Sequence, residues 1–281
     1  MNIGVYVNES KDKNFAVTNR LIDLLQEKGI SFALHENYNS SRKVEKMPLN
    51  SLVDFADVMT VLGGDGTILQ VIKECAPKNV PVVGINLGHL GFLMDFEKSE
   101  LDKLLDTLLS GGFVTEKRTL IEVTLGENKY VALNDVVISK GENTRLINIT
   151  AKVDGALVDN YFCDGIIVST PTGSTAYSMS VGGPILAPSV EGLIINPISS
   201  HSLHSRPIVV SSDSEITLNC SKLSSDCQLV IDGELAEKIK NNEIVKVNKS
   251  KDKATFIRVG ANGFFDVLLN KLNRWGVTDK E

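Results

Sequence analysis

Apolar residues follow two rhythms along this chain. Up to about Arg118, short β-like runs alternate with stretches of helical spacing. Ile3–Val7, Ile30–Leu34, Asp57–Leu62 and Val80–Asn86 read as strands; Phe15–Lys28, Thr67–Cys75 and Glu97–Leu109 read as helices. In the first helix Phe15, Leu21, Leu24 and Leu25 share a face, and Gly29 is placed to end it. Gly111 and Gly112 stop the third. Strands alternating with helices predict an α/β domain with a parallel sheet.

After Arg118 the runs shorten and the helical spacing disappears. Leu120–Leu125, Tyr130–Ile138, Ile147–Val153, Ala156–Phe162, Gly165–Ser169, Glu215–Cys220, Gln228–Ile231, Glu243–Val247 and Ala254–Val259 each read as a strand. Asp154-Gly155, between two of them, is a hairpin turn signal. The expectation is a mostly β second domain of two packed layers, sandwich-like. Phe264–Trp275 returns to helical spacing with Phe265, Leu268, Leu269 and Leu272. The domains expected are 1–118, 119–262 and a C-terminal helical segment, 263–281.

Composition narrows the function classes. With 281 residues, 42% hydrophobic and 23% charged, the chain can build a sizeable core. A net charge of −6 argues against a general nucleic-acid or anionic-membrane binder, which usually carries a basic surface. No apolar run approaches the roughly 18 residues of a membrane span, and MNIGVYV reads as a first strand and not as a signal peptide. The four cysteines and four histidines show no metal-ligand spacing, so reduced thiols and a cytoplasmic setting are expected.

The sharpest local signal is Gly63-Gly64-Asp65-Gly66-Thr67, between a strand and a helix. Glycines permit positive φ and let backbone N–H groups approach a phosphate. The helix N-terminus that follows adds oriented donors and partial positive charge. The Walker loop is excluded, because no Gly-Lys-Ser/Thr follows. The dinucleotide fingerprint is excluded because position 69 is Leu. Asp65 would repel a phosphate unless it holds a metal ion or takes a proton, which points to phosphate chemistry at this turn.

GGDGT at 63–67 resembles the signature of NAD kinases, shared with diacylglycerol and sphingosine kinases; phosphofructokinases carry a related turn. Further segments narrow the resemblance to NAD kinases. They are Val80–Leu93 (VPVVGINLGHLGFL), the pair Asn134-Asp135, Asp164–Ile185 (DGIIVSTPTGSTAYSMSVGGPI), His201–Pro207 and Asp232-Gly233-Glu234, in family order through most of the chain.

The resemblance implies an N-terminal α/β domain, a β-rich NAD-binding domain and a chain end that returns to the first. It implies an active site between the domains, completed by another subunit of a homodimer or homotetramer. It implies transfer of a phosphoryl group from ATP or another polyphosphate donor to the 2′-hydroxyl of NAD's adenosine ribose, with a divalent metal ion (Mg²⁺ or Mn²⁺). Asp65 is the catalytic candidate, activating or orienting that hydroxyl. Gly63, Gly64, Gly66 and Thr67 form the donor turn, with Gly66 also a backbone contact to NAD. No dedicated protein metal site is implied beyond Asp65 acting with the nucleotide phosphates.

For NAD the resemblance implies Asn134 and Asp135 at the ribose and adenine, Arg145 as a basic contact and Asp164 toward the nicotinamide side. It adds Thr175, Ala176, Tyr177, Ser178, Met179 and Ser180 as a close-fitting polar wall, and Glu234. Three positions depart from common family patterns: Phe162 where many relatives carry Arg or Lys, Glu234 where many carry Gln, and Gln70 where His or Arg is frequent. Alternatives are a diacylglycerol-type lipid kinase sharing GGDGT, and a non-catalytic NAD-sensing module; Asp at position 65 disfavours the latter.

Overall fold

The computed structural model describes all residues except 89–90, 143–144, 203, 222–226, 260–262 and 277–281, and omits the side chains of 272–276. His89, Leu90 and Leu203 of the quoted motifs, and the last five residues, lie outside that description. The chain divides into two compact units: Met1–Lys117 with Ala254–Glu281, and Arg118–Lys253.

The first unit is built on a parallel sheet. Val58–Gly63 pairs with Asn2–Val7 on one side and Val82–Asn86 on the other; Ser31–His35 and then Lys46–Met47 extend the first edge. The end of the long strand Ile244–Arg258 adds to Val82–Asn86, with Phe256 opposite Val82. Val58–Gly63 and Val82–Asn86 are buried along their whole length, as expected of parallel strands covered on both faces. Ile3, Val5 and Val7 pack with the helices Ala16–Glu27 and Leu101–Ser110. On the opposite face Gly4 has no room for a side chain, because Met59, Ala56 and Leu52 fill the space.

From Asn2–Val7 the chain steps to Ser31–His35 on one side, and later enters Val58–Gly63 on the other. The carboxyl ends of these two strands therefore flank a topological switch point, where open parallel sheets bind ligands. Val7 lies opposite Leu62, and Gly63 opposite Asn86, so Asn8, the glycine turn and the segment after Asn86 line up at that edge.

The second unit is a two-layer antiparallel sandwich. One layer runs Ile208–Ser211, Gly192–Ile198, Gly165–Ser169, Asp135–Ser139, Cys227–Ile231 and Glu234–Ile239. The other pairs Ala156–Cys163, Ile147–Val153, Ile216–Ser221 and the first half of the long strand. Alternate residues of both layers, among them Ile138, Ile166, Ile149, Leu218 and Val245, form one core. Asp154 and Gly155 both take positive φ in the expected hairpin turn.

Several elements differ from the sequence reading. The helix after the glycine turn opens at Asp65, two residues before Thr67. Glu243–Val247 and Ala254–Val259 are one strand, Ile244–Arg258; its polar middle, Asn248–Lys253, hid the continuity. Tyr130–Ile138 is two strands, Asn128–Ala132 and Asp135–Ser139, for a reason given below. The helix Leu49–Phe55 and the strands Gly192–Ile198, Ile208–Ser211 and Glu234–Ile239 were not anticipated. In the C-terminal helix, Phe264–Gly276, Phe265 and Leu269 are exposed, while Phe264, Leu268 and Lys271 are partly buried.

Candidate active site

At the glycine turn, the glycines serve close packing, not unusual dihedrals. None of Gly63, Gly64 or Gly66 has positive φ, which corrects the sequence argument. A Cβ on Gly63 would strike the Thr67 side chain. On Gly64 it would come within 2.6 Å of the Lys11 ammonium. At Gly66 nothing lies within 4 Å, so this side of the turn is open. Thr67 is committed to structure: its hydroxyl accepts from the Asn8 side chain at 3.1 Å and sits 3.5 Å from the Gly64 amide. The amides of Asp65 and Gly66 open the helix and have no acceptor within it.

Asp65 is fixed by the chain that follows the next strand. One carboxylate oxygen accepts the Phe92 amide at 2.9 Å and the other accepts the Leu93 amide at 3.1 Å. Gly91 makes this possible, since a Cβ there would overlap the carboxylate. A carboxylate offers about four lone-pair directions, so each oxygen keeps capacity for a ligand hydroxyl. Gln70 accepts from the Tyr6 hydroxyl at 3.3 Å. Among the described residues, no group of three or more His, Cys, Asp or Glu side chains is placed to hold a metal ion.

Lys271 was not singled out in the sequence. Its ammonium stands 4.1 Å from the Phe92 ring centroid, and Phe264, on the same helix face, packs its ring 6.1 Å from Phe92. Burial draws the Lys271 pKa below the ordinary lysine value, and the Asp65 carboxylate pulls the other way.

In the second unit, the interruption before Asp135–Ser139 has a specific cause. Asp232 accepts the amides of Leu133, Asn134 and Asp135 at 3.0, 2.8 and 3.2 Å, and its own amide donates to the Asp135 carbonyl at 3.0 Å. Asp232 and Gly233 both have positive φ, forming the tight turn between two strands. Thr170 holds the other side, donating from its hydroxyl to the Leu133 carbonyl at 2.6 Å and from its amide to the Asn134 carbonyl at 2.9 Å.

This frame borders a cavity of about 470 Å³ whose lining includes Asn134, Asp135, Ala176, Tyr177, Val230 and Asp232. The structure thus brings together Asn134, Asp135, Ala176 and Tyr177 from two distant motifs. Asp135 is only 4% exposed. Burial, and then the neighbouring Asp232 charge, push its pKa up to about 7. At neutral pH this carboxyl can thus both donate and accept.

Other nominated residues have different surroundings. The Thr175 hydroxyl donates to the Thr172 carbonyl at 3.1 Å. Ser178 is buried and accepts from Asn196 at 3.3 Å, a structural use. Asp164 pairs with Lys140 at 2.6 Å. Met179 is half-buried, and Ser180, Arg145 and Glu234 are exposed. None of these seven lines the cavity. Phe162 sets its ring edge-on to His201, centroids 6.0 Å apart. Asp232 was quoted only within a motif; its signal was an acid before Gly at a hairpin turn.

Residues 3–113 match the model of the ATP-NAD kinase N-terminal domain, and residues 133–259 that of the C-terminal domain. The chain belongs to the NAD kinase family. It is 40% identical over 277 residues to the NAD kinase of Caldanaerobacter subterraneus subsp. tengcongensis, covering 96% of this chain and 98% of that one. It is 36% identical over 278 residues to the NAD kinase of Heliobacterium modesticaldum, covering 97% and 98%. Yeast NADH kinase, solved with NADH, shares the fold with a TM-score of 0.88 at 23% identity, covering 100% of this chain and 89% of that one. The NAD kinase of Archaeoglobus fulgidus, solved with ATP, has a TM-score of 0.78 at 26% identity, covering 97% and 99%. An α/β unit with a parallel sheet and an antiparallel β sandwich are thus the family architecture. Among the described residues no helix is long and apolar enough to cross a membrane.

Proposed function

We propose that this chain transfers the terminal phosphoryl group of ATP to the 2′-hydroxyl of NAD's adenosine ribose, giving NADP and ADP. The observation that carries the reading is Asp65, at the first helical position after the glycine turn and clamped by the Phe92 and Leu93 amides. In the reaction the bond from the terminal phosphorus to the bridging oxygen breaks, and a bond to the ribose oxygen forms. The hydroxyl proton passes to the Asp65 carboxylate or to solvent. Phosphoryl transfer has a loose transition state in which the nucleophile deprotonates late, so a fixed carboxylate serves mainly to align the hydroxyl.

The glycine turn supplies donor contacts through the Asp65 and Gly66 amides at a helix N-terminus. A divalent cation, Mg²⁺ or Mn²⁺, bound with the donor phosphates near Asp65 would supply neutralisation of their charge. In the second unit, the Asn134 side chain and the Asp135 carboxyl offer donors and acceptors for ribose and adenine, with Ala176 and Tyr177 as the facing wall. Thr175, Ser180, Arg145, Asp164 and Glu234 remain as contacts to outer parts of NAD. The relatives solved with NADH and with ATP support both substrate classes. We place the protein in the cytoplasm as a homodimer or homotetramer, which light scattering would read.

The test is purified protein with NAD, ATP and Mg²⁺, measuring NADP. Asp65→Asn should abolish NADP formation while NAD still binds. Phosphorylated diacylglycerol in place of NADP would move the assignment to a lipid kinase. A panel including inorganic polyphosphate fixes the donor range.

A further inference from the structure

A polyphosphate brought to the glycine turn meets Asp65, a like charge. Two helix amides do not neutralise a triphosphate, and local cations are required. In the first unit one lysine ammonium stands against this turn at Gly64, and a second lies over Phe92, whose amide holds Asp65.

Lys11 is held there by the turn's own framework. The Asn8 amide donates to the Leu62 carbonyl at 2.9 Å, the Asn8 side chain donates to Thr67 at 3.1 Å, and the Lys11 amide donates back to the Asn8 carbonyl at 3.0 Å. These bonds lash the short loop after the first strand to the head of the helix. The Lys11 ammonium then occupies the space that a side chain at Gly64 would need. Glycine at 64 leaves that space to the lysine.

Lys271 arrives from the opposite end of the chain. Phe264, Leu268 and Lys271 fall at i, i+4 and i+7 of the C-terminal helix, one continuous face. The first and last of them touch Phe92, whose amide holds Asp65. A lysine where an apolar residue would complete that face is a costly choice for packing alone. An aromatic face steadies the ammonium without consuming its three N–H donors. Among the described residues, no carboxylate forms an ion pair with either lysine.

We propose that Lys11 and Lys271 are the cations that hold the donor phosphates over Gly63–Thr67, Lys11 at Gly64 and Lys271 beside Asp65. The assignment rests on the kinase reading above. Lys271, whose aromatic support Phe92 also holds the carboxylate that orients the acceptor, contacts the transferring group; Lys11, at Gly64, contacts the phosphates that remain on the leaving nucleotide. A single charge-assisted hydrogen bond contributes roughly ten- to hundredfold in such a site.

The experiment is steady-state kinetics with ATP and NAD varied in turn, on wild type, Lys11→Met, Lys271→Met and Lys271→Arg, with melting temperatures recorded. The expected result is a ten- to hundredfold loss in kcat/KM for ATP in both methionine variants. The KM for NAD stays within about twofold, the loss at Lys271 falls mainly in kcat, and Lys271→Arg recovers most of it. Wild-type ATP kinetics in both methionine variants would overturn the proposal while leaving the kinase reading intact. If Lys271→Met melts early, Lys271→Arg and Lys11→Met decide. Retained activity in the first with loss for ATP in the second supports the assignment; parallel losses for ATP and NAD in both overturn it. A wild-type protein that forms no NADP fails the underlying reading instead.

Discussion

Arg258 donates from Nη1 to Asp95 at 2.6 Å, two residues past the Leu93 amide that holds Asp65. Its Nε donates to Glu116 at 2.7 Å, and its guanidinium lies over the Phe256 ring. The end of the last strand is thus tied to the segment that holds the Asp65 carboxylate. Burial works against the Arg258 charge, but Asp95 and Glu116 outweigh it and hold its pKa above the ordinary arginine value. Removing the cation takes an ion-pair partner from two partly buried acids. Arg258→Met should therefore lower unfolding free energy by about 3–5 kcal/mol, the usual loss for one member of a buried ion pair. Urea titration would measure it, and a loss below about 1 kcal/mol would show the network to be solvent-screened.

Gly91 and Asp65 share one space. Gly91→Ala should displace the carboxylate and lower kcat roughly a hundredfold, the scale of a 1 Å misplacement of a reacting group, with the fold kept as read by far-UV circular dichroism. Unchanged kcat would mean that Asp65 reaches its substrate from another orientation.

Most of the architecture was legible because period and punctuation agreed. Buried parallel strands such as Val82–Asn86 announce themselves as unbroken apolar runs, and Gly29, Gly111 and Gly155 do adopt the positive φ expected of helix ends and tight turns. The break at Leu133-Asn134 was not legible. It is imposed by Asp232, almost a hundred positions later, and local propensity in Tyr130–Ile138 favours one strand. Lys271 was hidden differently. The helix reads as amphipathic through Phe265 and Leu269, yet those two are exposed and the inward face ends in a cation. Asp65, Asn134, Asp135, Ala176 and Tyr177 were nominated by motif resemblance; the amides that clamp Asp65 and the Asp232 carboxylate that holds Asn134 and Asp135 came only from the fold.

Asp135 makes stability depend on pH. Its carboxyl has a pKa of about 7 when folded, against roughly 3.9 in an unfolded chain. Between those values the folded state binds the extra proton, so stability falls as pH rises, by up to about 1.4 kcal/mol per pH unit. Asp135→Asn should flatten that slope between pH 4 and 7, and unfolding at pH 5 and 7 in both proteins would show it. Parallel curves would mean that the folded carboxyl ionises normally.

The four cysteines are free and buried. Burial pushes Cys75 and Cys163 up to about 12, and contact with Cys227 together with burial drives Cys220 upward. Since the thiolate is the reactive form, a thiol reagent at pH 8 should label none of them in the native protein and four in denaturant. Rapid native labelling would reveal an opening of the sandwich core.

The first unit is made from two separate stretches of the chain, with the whole second unit encoded between them. A ribosome therefore delivers the glycine turn well before the strand end at Arg258 and the Phe92-bound Lys271, and makes the entire sandwich in the interval. Until that second stretch emerges, the parallel sheet lacks the edge that pairs Phe256 with Val82, and Phe92 lacks its lysine.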